Sequence, residues 1–86
     1  MSTQPGGAEP AERALDGLKP GETGVIASLH CEPAIARRLM ELGFVPGTSV
    51  TVVRRAPMGD PIEFSVRGVH LSLRRSEANL IHVAAR

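Results

Sequence analysis

The 86-residue sequence contains no tryptophan, no tyrosine and only two phenylalanines. A module that grips bases or proline-rich peptides by ring stacking would have little to stack with. A single cysteine rules out an intramolecular disulfide framework and cannot by itself build a zinc site. Charge of one sign is scarce as well: ten Lys and Arg stand against nine Asp and Glu, a formal net charge of +1. That balance excludes a protein built for broad phosphate neutralisation, so no nucleic-acid partner is expected. No apolar run approaches the ~18–20 residues of a membrane span, and the N-terminus is polar. The chain therefore reads as a small cytoplasmic domain with no direct membrane insertion and no apparent signal peptide.

What is present suffices for one small core, with 42% hydrophobic residues in a length typical of one domain. Residues 1–13 are rich in Pro, Gly, Ala and Glu without apolar periodicity, which predicts a flexible N-terminal tail. Residues 14–86 form the expected folded domain. Its first strand is Gly24–Leu29, launched by the turn signal Pro20-Gly21. Pro33 suits the first position of a helix, although Glu32 before it is a mediocre N-cap. Ile35, Leu39 and Leu42 recur at i, i+4 and i+7 and predict one buried stripe. Gly43 fits the left-handed position that ends a helix, with Phe44 folding back on Leu39.

A second turn, Val45-Pro46-Gly47, precedes the β-forming run Thr48–Ala56. Ile62, Phe64 and Val66 alternate with polar residues, as do Val69, Leu71 and Leu73, so the two runs predict a hairpin turning at Gly68. Ser76–Leu80 is long enough for one helical turn, and Ile81-His82-Val83 closes the chain as a fifth strand. The expected fold is all-β: a small five-stranded closed barrel, with one α-helix between strands one and two and a short helical turn before the last strand.

Few residues suggest chemistry. His30-Cys31-Glu32 sets three metal donors side by side, but adjacent residues rarely converge on one ion. Metal binding there would need His70 or His82 folded close. His30, Cys31 and Asp60 are the weak metal candidates, and no metal site is assigned. Asp60, in the rigid loop Pro57-Met58-Gly59-Asp60-Pro61, has only Glu63 near it in sequence and reads as a structural turn residue. The pairs Arg37-Arg38, Arg54-Arg55 and Arg74-Arg75 read as solvated faces, with docking to an acidic protein surface the minority case. Met40 lies roughly 140° around the helix from Ile35, off the buried stripe and beside Arg37. An apolar side chain flanked by Arg on an exposed helix edge suits a partner-facing patch. No Ser/His/Asp arrangement, phosphate-cradling loop or Cys-x-x-Cys occurs, so neither enzymatic activity nor a cofactor is expected.

The run Arg37-Arg38-Leu39-Met40-Glu41-Leu42-Gly43-Phe44-Val45-Pro46-Gly47-Thr48, followed by Arg55-Ala56-Pro57-Met58-Gly59-Asp60-Pro61-Ile62, closely resembles the FeoA family. Leu18-Lys19-Pro20-Gly21-Glu22 and Val69–Arg74 are similar to the same pattern, so the resemblance spans about Leu15 to Val83. It implies an SH3-like β-barrel acting as a non-enzymatic accessory protein of bacterial ferrous-iron uptake. The implied partner is the cytoplasmic side of FeoB, the membrane transporter that carries a G-protein domain; weak self-association stays open. The family's partner-binding region maps onto Leu39 and Met40, to which the physical reading adds Arg37. Two alternatives stand beside this one. The first is a small Fe(II)-binding chaperone using His30, Cys31 or Asp60. The second is a relative of the SH3-like domain of iron-dependent repressors.

Overall fold

The computed structural model describes residues 12–85. Most of the predicted tail, residues 1–11, lies outside this range. Strand β1 (Glu12–Ala14) is followed by a 3₁₀ turn (Leu15–Gly17) and strand β2 (Thr23–Leu29). Helix α1 (Pro33–Leu42) leads to strands β3 (Ser49–Arg55), β4 (Ile62–Val66) and β5 (Val69–Leu73). The short helix α2 (Arg75–Ala78) and strand β6 (Ile81–Ala85) complete the order.

The strands form one antiparallel sheet of six, ordered β1-β6-β2-β3-β4-β5. The sequence predicts five. The sixth is β1, which includes Glu12 and Arg13 from the segment expected to be tail. Its three residues show no alternation of their own and are strand only because β6 offers a free edge, pairing Glu12 with Ala84 and Ala14 with His82. Among the described residues the ladders run from β1 to β5, which places these two strands at the edges. Arg13 also ties β1 down, donating to the Glu22 carboxylate over 3.0 Å. The Glu22 carboxyl is held below the usual carboxylate range, chiefly because it accepts the Lys19 backbone N–H, with the Arg13 and Lys19 charges adding to the effect.

Two β-bulges interrupt the sheet. One falls between Ile26 and Ser28 of β2, the other between Val52 and Arg54 of β3. Each inserts a residue, bends its strand and exchanges the faces beyond it. In β2, Ile26 points inward opposite Val83, yet Ser28 is carried to the outer face opposite His82. Strict alternation from Ile26 would have turned Ser28 inward.

The core is wholly apolar, and no polar or charged residue is buried among the described residues. Phe44 and Phe64 meet edge-on, with ring centroids 6.1 Å apart. Helix α1 ends as its sequence predicts: the Gly43 N–H donates to the Met40 carbonyl and the Phe44 N–H to that of Leu39, the paired bonds of a Schellman cap. Gly43 sits at φ 123°, and the Glu32 side chain makes no capping bond at the other end. The stripe is narrower than predicted: Leu39 is fully buried, but Leu42 in the last turn is 47% exposed, while Phe44 just beyond the cap takes a core position.

The hairpin between β4 and β5 turns through Arg67 and Gly68, both at positive φ, as a two-residue loop requires. The Arg55 guanidinium reaches across the sheet and donates to the carbonyls of Leu18, over 2.9 Å, and of Asp16. It thereby fixes the 3₁₀ turn against β3.

Two glycines carry strict demands. A Cβ on Gly24 would stand 3.0 Å from the Val83 side chain and 3.3 Å from the Ala84 carbonyl oxygen. Gly24→Ala should destabilise the fold by roughly 1–3 kcal/mol through overpacking, read as a lower urea midpoint. An unchanged midpoint would mean that β2 and β6 lie farther apart than described. Gly43→Val should cost roughly 1–2 kcal/mol, because a β-branched residue resists the positive φ of this position. Retention of the parent midpoint would refute the cap.

Candidate functional site

Two places on the surface gather candidate residues. The first is the outer edge of α1. Arg37 is exposed, and Met40 beside it is 37% exposed, as the helical angle predicts. Leu39 differs: it is sealed in the core and offers no surface to a partner. Any effect of Leu39 on binding therefore runs through the placement of the helix. On its other flank Arg38 pairs with Glu77 of α2 over 3.3 Å, so the helix edge is braced rather than loose. Met58 is 90% exposed at the tip of the loop between β3 and β4, and nothing in the sequence pattern singles it out.

The second place is the outer face where β1, β6 and the end of β2 meet. His30 and His82 stack there, with ring centroids 3.9 Å apart and planes at 24°. Their ring nitrogens and the Glu12 carboxylate all lie within 4.8 Å of one another. Ser28 stands between them, its hydroxyl 2.9 Å from His30 Nε2 and donating to Glu12 over 3.5 Å. His30 is thus joined by His82, the condition a metal role demanded. Glu12 is the residue sequence reasoning missed, since it was assigned to the tail. Ser28 was missed because the bulge that turns it outward leaves no mark in the alternation pattern.

The other metal candidates stay apart from this cluster. Cys31 is half-buried and packs against the hydrophobic core. The Asp60 carboxylate accepts the Arg75 backbone N–H over 3.0 Å, a structural role at the start of α2. Glu63, the nearest carboxylate to Asp60 in sequence, instead faces His70 across the β4–β5 hairpin at 3.1 Å.

Each of the three basic pairs is partly consumed by the fold: Arg38 pairs with Glu77, as described above. Arg55 binds the carbonyls named above, and Arg75 lies 3.6 Å from the Asp16 carboxylate. Two open hollows flank Pro61, one lined by Arg54, Ala56, Glu63 and Ser72 and the other by Asp60 and Arg74. No described helix is long and apolar enough to cross a membrane.

Comparison with known proteins gives this surface a context. A curated relative from Porphyromonas gingivalis, an Fe(2+) transport protein A/Fe(2+) transporter FeoB fusion protein, is 36% identical over 69 residues. Those residues are 80% of this chain but 8% of the relative, so the chain spans a small part of that protein. The solution structure of FeoA from Chlorobium tepidum superposes with a TM-score of 0.78 at 46% identity, covering 84% of this chain and 69% of that one. The crystal structure of Stenotrophomonas maltophilia FeoA complexed with zinc, a procaryotic SH3 domain protein, gives a TM-score of 0.70 at 39% identity, covering 81% and 87%. A manganese-dependent transcriptional repressor shares the fold at 22% identity, with a TM-score of 0.79 over 90% of this chain and 43% of that one. This last likeness is one of fold alone. The fold is the SH3-like one that the sequence resemblance implies, with the additional strand β1. The profile of the FeoA domain matches residues 13–85, and the chain belongs to the FeoA family.

Proposed function

We infer that this protein is a non-enzymatic accessory of bacterial ferrous-iron uptake that binds the cytoplasmic side of a FeoB-type transporter and modulates it. One observation carries the reading: the Porphyromonas gingivalis relative holds a FeoA segment and a FeoB transporter in a single polypeptide. A covalent link keeps a module at high effective concentration beside the protein it acts on. Where the two are separate chains, a docking surface must supply that proximity.

The outer edge of α1 is the surface proposed for it. Met40 supplies an apolar contact that is already half out of water, and the Arg37 guanidinium beside it is exposed and suited to a carboxylate on the partner. The helix is fixed by its Schellman cap and by Arg38–Glu77, so little ordering cost falls on binding. Leu39 belongs to this surface only as the anchor that seats the helix.

Binding of the purified chain to detergent-solubilised FeoB from the same organism, followed by interferometry with and without guanine nucleotide, tests the reading. Met40→Glu should weaken binding at least about tenfold, while leaving the melting temperature within about 3 °C of the parent because the side chain is not core. Leu39→Gln should instead unfold or strongly destabilise the domain. Binding in which both Met40→Glu and Arg37→Glu match the parent would remove this helix edge from the interface. No binding in any nucleotide state would overturn the accessory reading itself.

A further inference from the structure

We propose that Glu12, His30 and His82 form a binding site for a divalent first-row transition-metal ion, held by two imidazoles and a carboxylate. The proposal goes beyond the transporter reading and does not rest on it. A chain that bound no transporter would still bind the ion.

The donor set decides the class of ion. Two nitrogens and one carboxylate suit Zn(II), Fe(II) or Co(II). Mg(II) and Ca(II) prefer oxygen throughout, and Cu(I) prefers sulfur. The one sulfur donor, on Cys31, is packed toward the core although it follows His30 directly.

The geometry is close to what coordination needs. Ligand bonds of about 2.0–2.2 Å place neighbouring donors roughly 3.3–3.6 Å apart. The donors here lie within 4.8 Å of one another. Side-chain rotation closes that gap, because Glu12 and His30 are exposed and His82 is half-exposed.

The backbone beneath is already fixed by ladders. β6 is paired on both sides, so His82 has Ala14 of β1 on one side and Ser28 of β2 on the other. Glu12 lies diagonally across from His82, one pleat along β1, on the same face. The bulge in β2 brings Ser28 to that face, and its hydroxyl reaches both His30 and Glu12. Partners of this kind orient metal ligands and are part of how a site is tuned.

Three protein ligands on an open face leave coordination positions free. Structural zinc sites close with four. The site is therefore an exchangeable one, and its ligands come from three segments of the chain. An ion bound there would fasten β1, an edge strand of three residues, to β6 and to the end of β2.

The test uses the untagged full chain, titrated with Zn(II) by calorimetry and with Co(II) by visible absorption. One ion per chain should bind with micromolar affinity, and the Co(II) form should show d–d bands of a nitrogen- and oxygen-ligated ion without a thiolate charge-transfer band. His82→Ala and Glu12→Ala should each weaken binding at least about tenfold, and Cys31→Ser should leave it unchanged. At a metal concentration about a hundredfold above the parent's Kd the melting temperature should rise by roughly 10–20 °C in the parent, and by half as much or less in the two variants. Glu12→Ala serves as the safeguard if His82→Ala fails to fold, since Glu12 is exposed on an edge. Absence of saturable binding below millimolar metal overturns the proposal. So does affinity unchanged by both ligand variants, or affinity lost with Cys31→Ser.

Discussion

The fold depends on how closely β2 and β6 approach. Gly24 has no side chain, and the Val83 side chain occupies the space that one would fill. With that contact made, Ile26 and Val83 both reach the core and the last strand is seated between the first two. Everything outside it follows: β1 has an edge to pair with, and the 3₁₀ turn lies where Arg55 can collect its carbonyls. Because no polar or charged residue is buried among the described residues, the core's stability comes from packing and apolar burial, both sensitive to such spacing.

The exposed features are arranged around this frame rather than within it. Helix α1 lends the core Leu39 and leaves Met40 and Arg37 outward. In the sheet, β6 alternates in the same way, with Ile81 and Val83 inward and His82 outward. Each surface thus borrows its rigidity from a buried neighbour in the same element. The α1 edge and the cluster of Glu12, His30 and His82 are both carried by elements that contribute to the same core.

Much of this was legible in the sequence where the signal is local. Pro33 and Gly43 bracket α1 through their own backbone constraints, and the alternation in β4 and β5 is a property of five consecutive residues. The rest depends on contacts between distant segments. Glu12-Arg13-Ala14 has no pattern to mark it as strand; only the edge of β6 makes it one. The periodicity containing Leu42 identifies a helix face but not which of its residues the core covers, and Leu42 is left exposed. The cluster of Glu12, His30 and His82 needed three things at once: the unpredicted strand, the bulge after Ile26, and the pairing of β2 with β6. The α1 edge, by contrast, required only the 100° step of a helix.

The placement of β6 has a kinetic meaning. It is the last strand of the domain in sequence, yet it is interior to the sheet, with β1 and β2 on its two sides. Strands β2 to β5 are neighbours in both sequence and sheet, with α1 between β2 and β3, and can pair as they emerge from the ribosome. They would do so with the β6-facing edge of β2 unpaired and Ile26 open to water. Seating β6 joins the beginning of the domain to its end, a loop closure spanning most of the chain and costly in entropy. Until residues 81–85 are released, the nascent protein holds a vacant strand slot, the feature by which incomplete β-sheets recruit one another.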